Sequence, residues 1–97
     1  MQFIVLCYDY KDDKALERRL AAREKHLSFA KKLFKEKKWL FASVLLDDNG
    51  KMNGSIIACE FNSEDDLRKL WLDNEAYVKE NVWEKIIIRQ ARIANLY

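Results

Sequence analysis

Phe3-Ile4-Val5-Leu6-Cys7-Tyr8 is a short run of β-branched and aromatic residues closed by polar ones, and it predicts a strand. Lys11-Asp12-Asp13-Lys14 then predicts a turn into a helix, with Asp12 or Asp13 placed to accept the first free backbone N–H groups. From Ala15 to Lys37 the apolar spacing becomes helical. Leu16, Leu20, Leu27 and Phe34 recur at four and seven residues with Ala30 beside them, so this stripe is expected to face the core. Lys35, Lys37 and Lys38 suit the negative end of that helix.

Trp39 to Leu46 predicts a second strand and Ser55 to Phe61 a third, with turn signals at Asp47-Asp48-Asn49-Gly50 and at Asn53-Gly54. Ser63 is a good N-cap for a second helix with acids in its first turn and Leu67, Leu70 and Trp71 on its apolar face. Asp73 and Glu75 then fall at the end of that helix, where a negative charge opposes the dipole. Val82 to Ile88, extending toward Ile93, predicts the last strand. The order β-α-β-β-α-β is the split βαβ of ferredoxin-like α+β folds, one domain over residues 1–97. Right-handed crossovers put both helices on one face of a four-stranded antiparallel sheet.

The strands do not alternate apolar and polar as a sheet with one wet face should. Phe3, Val5 and Cys7 lie on one side of the first strand, Ile4, Leu6 and Tyr8 on the other. Two helices cover one face only. A second copy stacked sheet to sheet is the expected cover for the other, giving a homodimer. The alternative cover is the C-terminal segment from Ala91 to Tyr97.

Composition narrows the function. Hydrophobic residues are 49% and charged residues 35% of the 97, which is globular, and a formal net charge of +2 gives no basic excess for nucleic acid. Cys7 and Cys59 are far apart in apolar runs, which predicts buried reduced thiols and a cytoplasmic setting. No stretch has the length of a membrane span, and no export signal is expected at the N-terminus. No phosphate loop, nucleophile elbow or metal-ligand cluster is present, so neither metal nor cofactor is called for.

His26 is the one histidine. At about 100° per residue, Arg19, Arg23, His26 and Ala30 share a sector of roughly 60° at one edge of the helix. An imidazole there can act as general acid or base, and the arginines can hold an anionic group of a small molecule. Ser55 and Tyr77 can add hydroxyls. The bland alternative is a half-buried histidine beside arginines paired with nearby glutamates.

Leu16-Glu17-Arg18-Arg19-Leu20-Ala21-Ala22-Arg23-Glu24-Lys25-His26-Leu27 resembles the first-helix signature of YciI-like proteins, an arginine-rich approach followed by Arg, two spacers and His-Leu. The resemblance continues through Trp39-Leu40-Phe41-Ala42, Gly54-Ser55-Ile56-Ile57-Ala58-Cys59-Glu60-Phe61, Ser63-Glu64 and on to Tyr77. It implies a dimeric α+β barrel and an active-site histidine, carried to His26, paired with the aspartate of an Asp-Pro-Tyr segment. Here that segment reads Glu75-Ala76-Tyr77, so Glu75 stands in the acid's place, and Asp73 is the other candidate. The family's Gly-Pro after the second strand is Ser43-Val44, and its glycine after the first helix is Lys37. Relatives that include a dehydrochlorinase and muconolactone isomerases imply proton transfer without a cofactor. The expected function is therefore a cofactor-free lyase or isomerase acting on a small acidic or phenolic molecule. A non-catalytic ligand-binding or interaction module is the alternative.

Overall fold

The structure is a computed structural model that describes residues 1–96. In chain order it contains β1 (Gln2–Asp9), α1 (Ala15–Lys35), β2 (Trp39–Leu46), β3 (Met52–Glu60) and α2 (Glu64–Leu70). A 3-10 turn (Leu72–Asn74), α3 (Ala76–Lys79) and β4 (Trp83–Ala91) follow. The strands form one antiparallel sheet in the order β2-β3-β1-β4, the ferredoxin-like arrangement that the element order predicts.

The pleat sorts the side chains. Phe3, Val5 and Cys7 point to the helical side, and the register places Cys59, Ile57 and Ser55 of β3 opposite them. Ala22 and Leu33 of α1, Leu67 of α2, and Trp71 and Tyr77 beyond it close this side, and all are buried. On the other side, Ile4, Leu6 and Ile56 are half-buried, Tyr8 is 39% exposed and Phe41 49% exposed. The single chain leaves this second apolar face open. The C-terminal segment is not folded down as a cover, since Leu96 is 89% exposed. Tyr97, the last residue of that alternative, lies outside the described residues.

Four local expectations are corrected. First, the stripe on α1 does not face the core: Leu20 is 55% and Phe34 61% exposed, while Ala15, Arg19, Ala22, His26 and Leu33 are buried. The buried side lies roughly 100° around the helix from the leucines. Small residues let α1 approach the sheet, and the two buried polar side chains have partners that compensate for lost water.

Second, α1 stops at Lys35, because Lys37 takes φ 61° and turns the chain back. The Lys37 and Lys38 N–H groups donate to Phe34 O and Leu33 O at 3.0 and 2.8 Å. This is a left-handed helix terminus that glycine fills without a Cβ penalty. Lys37→Gly is expected to stabilise the fold by about 1 kcal/mol, raising the melting temperature by about 4–8 °C in a calorimetric scan. An unchanged or lower midpoint would show that the left-handed turn carries no strain.

Third, Asn53-Gly54 is not a turn but part of β3. A Cβ on Gly54 would sit 2.5 Å from Cys7 O, so glycine here serves close packing of β3 on β1. Fourth, the second helix is broken into α2, the 3-10 turn and α3, with Ser63 capping α2 as expected by accepting the Asp66 N–H at 3.1 Å. At the start of α1, Asp12 accepts the Lys14 N–H at 3.1 Å, one residue ahead of the helix, and its carboxylate also receives both ends of Arg18 at 2.8 Å. Among the described residues no helix is long and apolar enough to cross a membrane.

Both cysteines are buried free thiols. Burial disfavours their thiolates and pushes Cys59 from 9.0 up to about 12, with Cys7 raised further in the same direction. Above pH 9 the unfolded chain would release thiol protons that the folded chain retains. Stability is therefore full below pH 9 and falls as pH rises toward 12. Native protein at pH 8 is expected to resist iodoacetamide, with two thiols alkylated only after denaturation. Rapid native labelling would contradict this burial.

Candidate active site

The break after α2 builds the site. Trp71 ends α2 with its ring fully buried, the 3-10 turn carries the chain round, and Glu75 arrives in an extended conformation as the N-cap of α3. Glu75 Oε2 accepts the Tyr77 backbone N–H at 3.1 Å, and Oε1 accepts the Trp71 indole N–H at 2.8 Å. The carboxylate therefore sits at a helix start and not at a helix end, which reverses the unfavourable dipole placement expected from the sequence.

His26 comes from the buried side of α1, and its Nδ1 lies 2.6 Å from Glu75 Oε2. A carboxylate that already accepts two N–H groups favours the tautomer with the proton on Nδ1, and this leaves Nε2 as the basic nitrogen. The imidazole lies flat on the Tyr77 ring, with centroids 3.8 Å apart and planes 7° apart, while Trp39 and Trp83 stand at 5.9 and 5.8 Å. Three aromatic neighbours and a short hydrogen bond thus hold one ring orientation. Burial raises the Tyr77 hydroxyl above its ordinary pKa, against the opposing pull of Arg19 and Arg23, so it is a neutral hydroxyl at pH 7.

A second buried polar group lies alongside. Asp9 continues the inward row of Phe3, Val5 and Cys7 at the end of β1, where the register to β4 shifts. Arg19 Nε and Nη2 donate to the two Asp9 oxygens at 2.7 and 3.0 Å, and Nη2 also donates to Gly54 O and Ser55 Oγ at 3.1 Å. The Arg19 guanidinium is 4.8 Å from the Tyr77 ring centroid. These contacts tie β1, β3, α1 and α3 together.

Between α1 and the β2–β3 side of the sheet is a cavity of about 200 Å³ lined by Arg19, Arg23, His26, Ser55 and Tyr77, with apolar walls that include Trp39 and Ile57. Arg23 is exposed at this cavity and has no carboxylate partner among the described residues. The structure thus brings together His26, Glu75, Arg19, Arg23, Ser55 and Tyr77. Asp73 is exposed on the 3-10 turn and does not line the cavity. Sequence reasoning missed Asp9 and Trp71 as site residues. The strand alternation that ends on Asp9 and the four-residue spacing from Trp71 to Glu75 are the signals that could have found them. The buried indole N–H groups of Trp39 and Trp83 have no hydrogen-bond partner among the described residues, and both rings stand nearly perpendicular to aromatic neighbours, where an N–H edge can meet a π face. Among the described residues, no three His, Cys, Asp or Glu side chains gather to hold a metal ion.

Residues 1–92 match the YCII-related domain family. The chain belongs to that family. Among solved structures, this YCII-related protein is similar to 5-chloro-2-hydroxyhydroquinone dehydrochlorinase (TftG) from Burkholderia phenoliruptrix AC1100 in complex with 2,5-dihydroxybenzoquinone. The identity is 20% and the TM-score 0.81, over 97% of this chain and 96% of that one. It is also similar to protein Atu4242 from Agrobacterium tumefaciens, at 14% identity and a TM-score of 0.52, over 99% of this chain and 96% of that one. No curated protein matches it in sequence. At these identities the structural likeness shows the fold, and it is the same four-stranded α+β fold.

Proposed function

We propose that this protein is a cytoplasmic, cofactor-independent acid–base enzyme, a lyase or isomerase that moves a proton on a small acidic or phenolic molecule. The observation that carries this reading is the 2.6 Å contact of buried Glu75 Oε2 with Nδ1 of His26, a residue that lines a cavity together with Arg23. Neutral His26 takes a proton at Nε2 from a carbon or hydroxyl activated by an adjoining carbonyl or phenol. Glu75 stabilises the imidazolium that forms, and His26 then returns the proton at another position or to a leaving group. Arg23 holds the substrate's negative charge. The replacement of the family's aspartate by Glu75 does not separate the pair, since the N-cap position brings the longer carboxylate to Nδ1.

The active form in this reading is a homodimer. Ile4, Leu6, Ile56 and Phe41 form the open apolar face, and a second sheet about 10 Å away would cover it. Ile56→Glu is then expected to lose the sheet-to-sheet contact and lower the associated mass by light scattering.

The probe for the chemistry is 2,5-dihydroxybenzoquinone, a planar acidic compound whose ring protons exchange through vinylogous acid chemistry. Binding is read by fluorescence of the three tryptophans, and catalysis by loss of the ring C–H signals in D₂O. Wild type should bind and accelerate exchange, while His26→Ala should bind without accelerating it. Binding without accelerated exchange in wild type would favour the ligand-binding module. No binding of this compound, salicylate or catechol at millimolar concentration would sink the ligand class.

A further inference from the structure

Apart from Leu27 at the cavity rim, the apolar stripe on α1 is absorbed neither by the core nor by the cavity. Leu16, Leu20, Leu27 and Phe34 lie within roughly 40° of one another around the helix. Leu20 and Phe34 are 55% and 61% exposed. Leu20, Leu27 and Phe34 repeat at seven residues, the spacing of a seam between two helices. The charges on its outer flank are ordered: Glu17 and Glu24 in the N-terminal half, Lys31 and Lys35 in the C-terminal half. Glu24, Lys31 and Lys35 have no ion-pair partner among the described residues, and Glu17 has only a 3.6 Å contact with Lys14 between two exposed side chains.

We propose that α1 is a second self-association surface, on which a second copy of this chain packs its own α1 antiparallel. A two-fold axis at Leu27 sets Leu20 against Phe34, Leu27 against Leu27, and Glu24 beside Lys31. Antiparallel pairing is the arrangement that sets this flank against the same flank of the partner, so that Glu24 meets Lys31, whereas parallel pairing would set it against the opposite edge of the stripe, where Arg23 and Ala30 lie. The seam is on the helical side of the molecule, away from the open sheet face. Contacts at both surfaces close four chains, whereas the α1 contact alone gives two. Leu27 also lines the cavity, so the seam runs along its rim.

Sedimentation velocity from micromolar to millimolar chain concentration tests this surface. Leu20→Glu combined with Phe34→Glu should halve the associated mass with an unchanged circular-dichroism melt. Glu24→Lys should weaken association by about fivefold through loss of two exposed pairs, and adding Lys31→Glu should restore it. A mass identical to wild type for the Leu20/Phe34 variant at every concentration overturns the proposal, as does a charge swap that fails to restore association. Dissociation on removal of residues 93–97 alone also overturns it, by pointing to the tail as the occupant. Ile56→Glu reads the sheet contact separately, because it leaves α1 untouched.

Discussion

His26→Ala is expected to lower turnover by about 10²–10⁴-fold while the protein stays folded, because it removes the group proposed to carry the proton. The more instructive replacement is Glu75→Gln. Its oxygen can still accept from the Trp71 indole, but its NH₂ then meets Nδ1 of His26, where two donors cannot face each other. The imidazole must move its proton to Nε2, and the basic nitrogen is lost from the side that has no hydrogen-bond partner among the described residues. Losing the orienting carboxylate of a histidine base is expected to cost up to about 10⁴-fold in kcat by the wrong-tautomer effect. ¹⁵N spectra of the imidazole should show protonation at Nδ1 in wild type and at Nε2 in Glu75→Gln. The same tautomer in both proteins, or undiminished turnover in either variant, would remove His26 and Glu75 from the mechanism. Trp71→Phe is a milder probe of the same pair, since it deletes one of the hydrogen bonds that aim the carboxylate.

Arg19→Ala should unsettle the fold more than any cavity-lining replacement. It leaves the Asp9 carboxyl at 6% exposure with no counter-charge. Breaking a buried pair from one side costs about 3–5 kcal/mol, a shift of about 12–40 °C in the melting temperature for a chain of this size. Asp9→Ala should destabilise by a similar amount by stranding the guanidinium. The double variant Asp9→Leu/Arg19→Met should recover much of the loss, because neither charge then remains. Thermal melts followed by circular dichroism decide this, and a single-variant loss under about 1 kcal/mol would mean that water reaches the pair. The same argument separates the two arginines expected to bind substrate. Arg19 already spends its Nε and Nη2 on Asp9, Gly54 and Ser55, so its main duty is to hold the cavity together. Arg23 has no such commitment, so Arg23→Ala should raise KM and leave the melting temperature near wild type.

Local chemistry in the sequence determined a good deal. Continuous apolar runs such as Phe3 to Tyr8, the Asp47–Gly50 turn and the Ser63 cap are decided by neighbours in the chain, and they yield the βαββαβ order. The His26 signature and its match to the family were legible for the same reason, as short motifs in a fixed order. What only the tertiary structure decided depends on residues distant in the chain. The α1 stripe misled because apolar spacing records which side chains avoid water, but not that buried Arg19 and His26 find partners in Asp9 and Glu75. The choice between Asp73 and Glu75 turned on a helix break that rotates one acid to Nδ1 and the other into solvent. Gly54, a turn residue by composition, became a strand residue because β1 passes within 2.5 Å of where its Cβ would be. In each case the deciding energy is that of burying a polar or crowded group against a particular partner, and that partner is supplied by the fold.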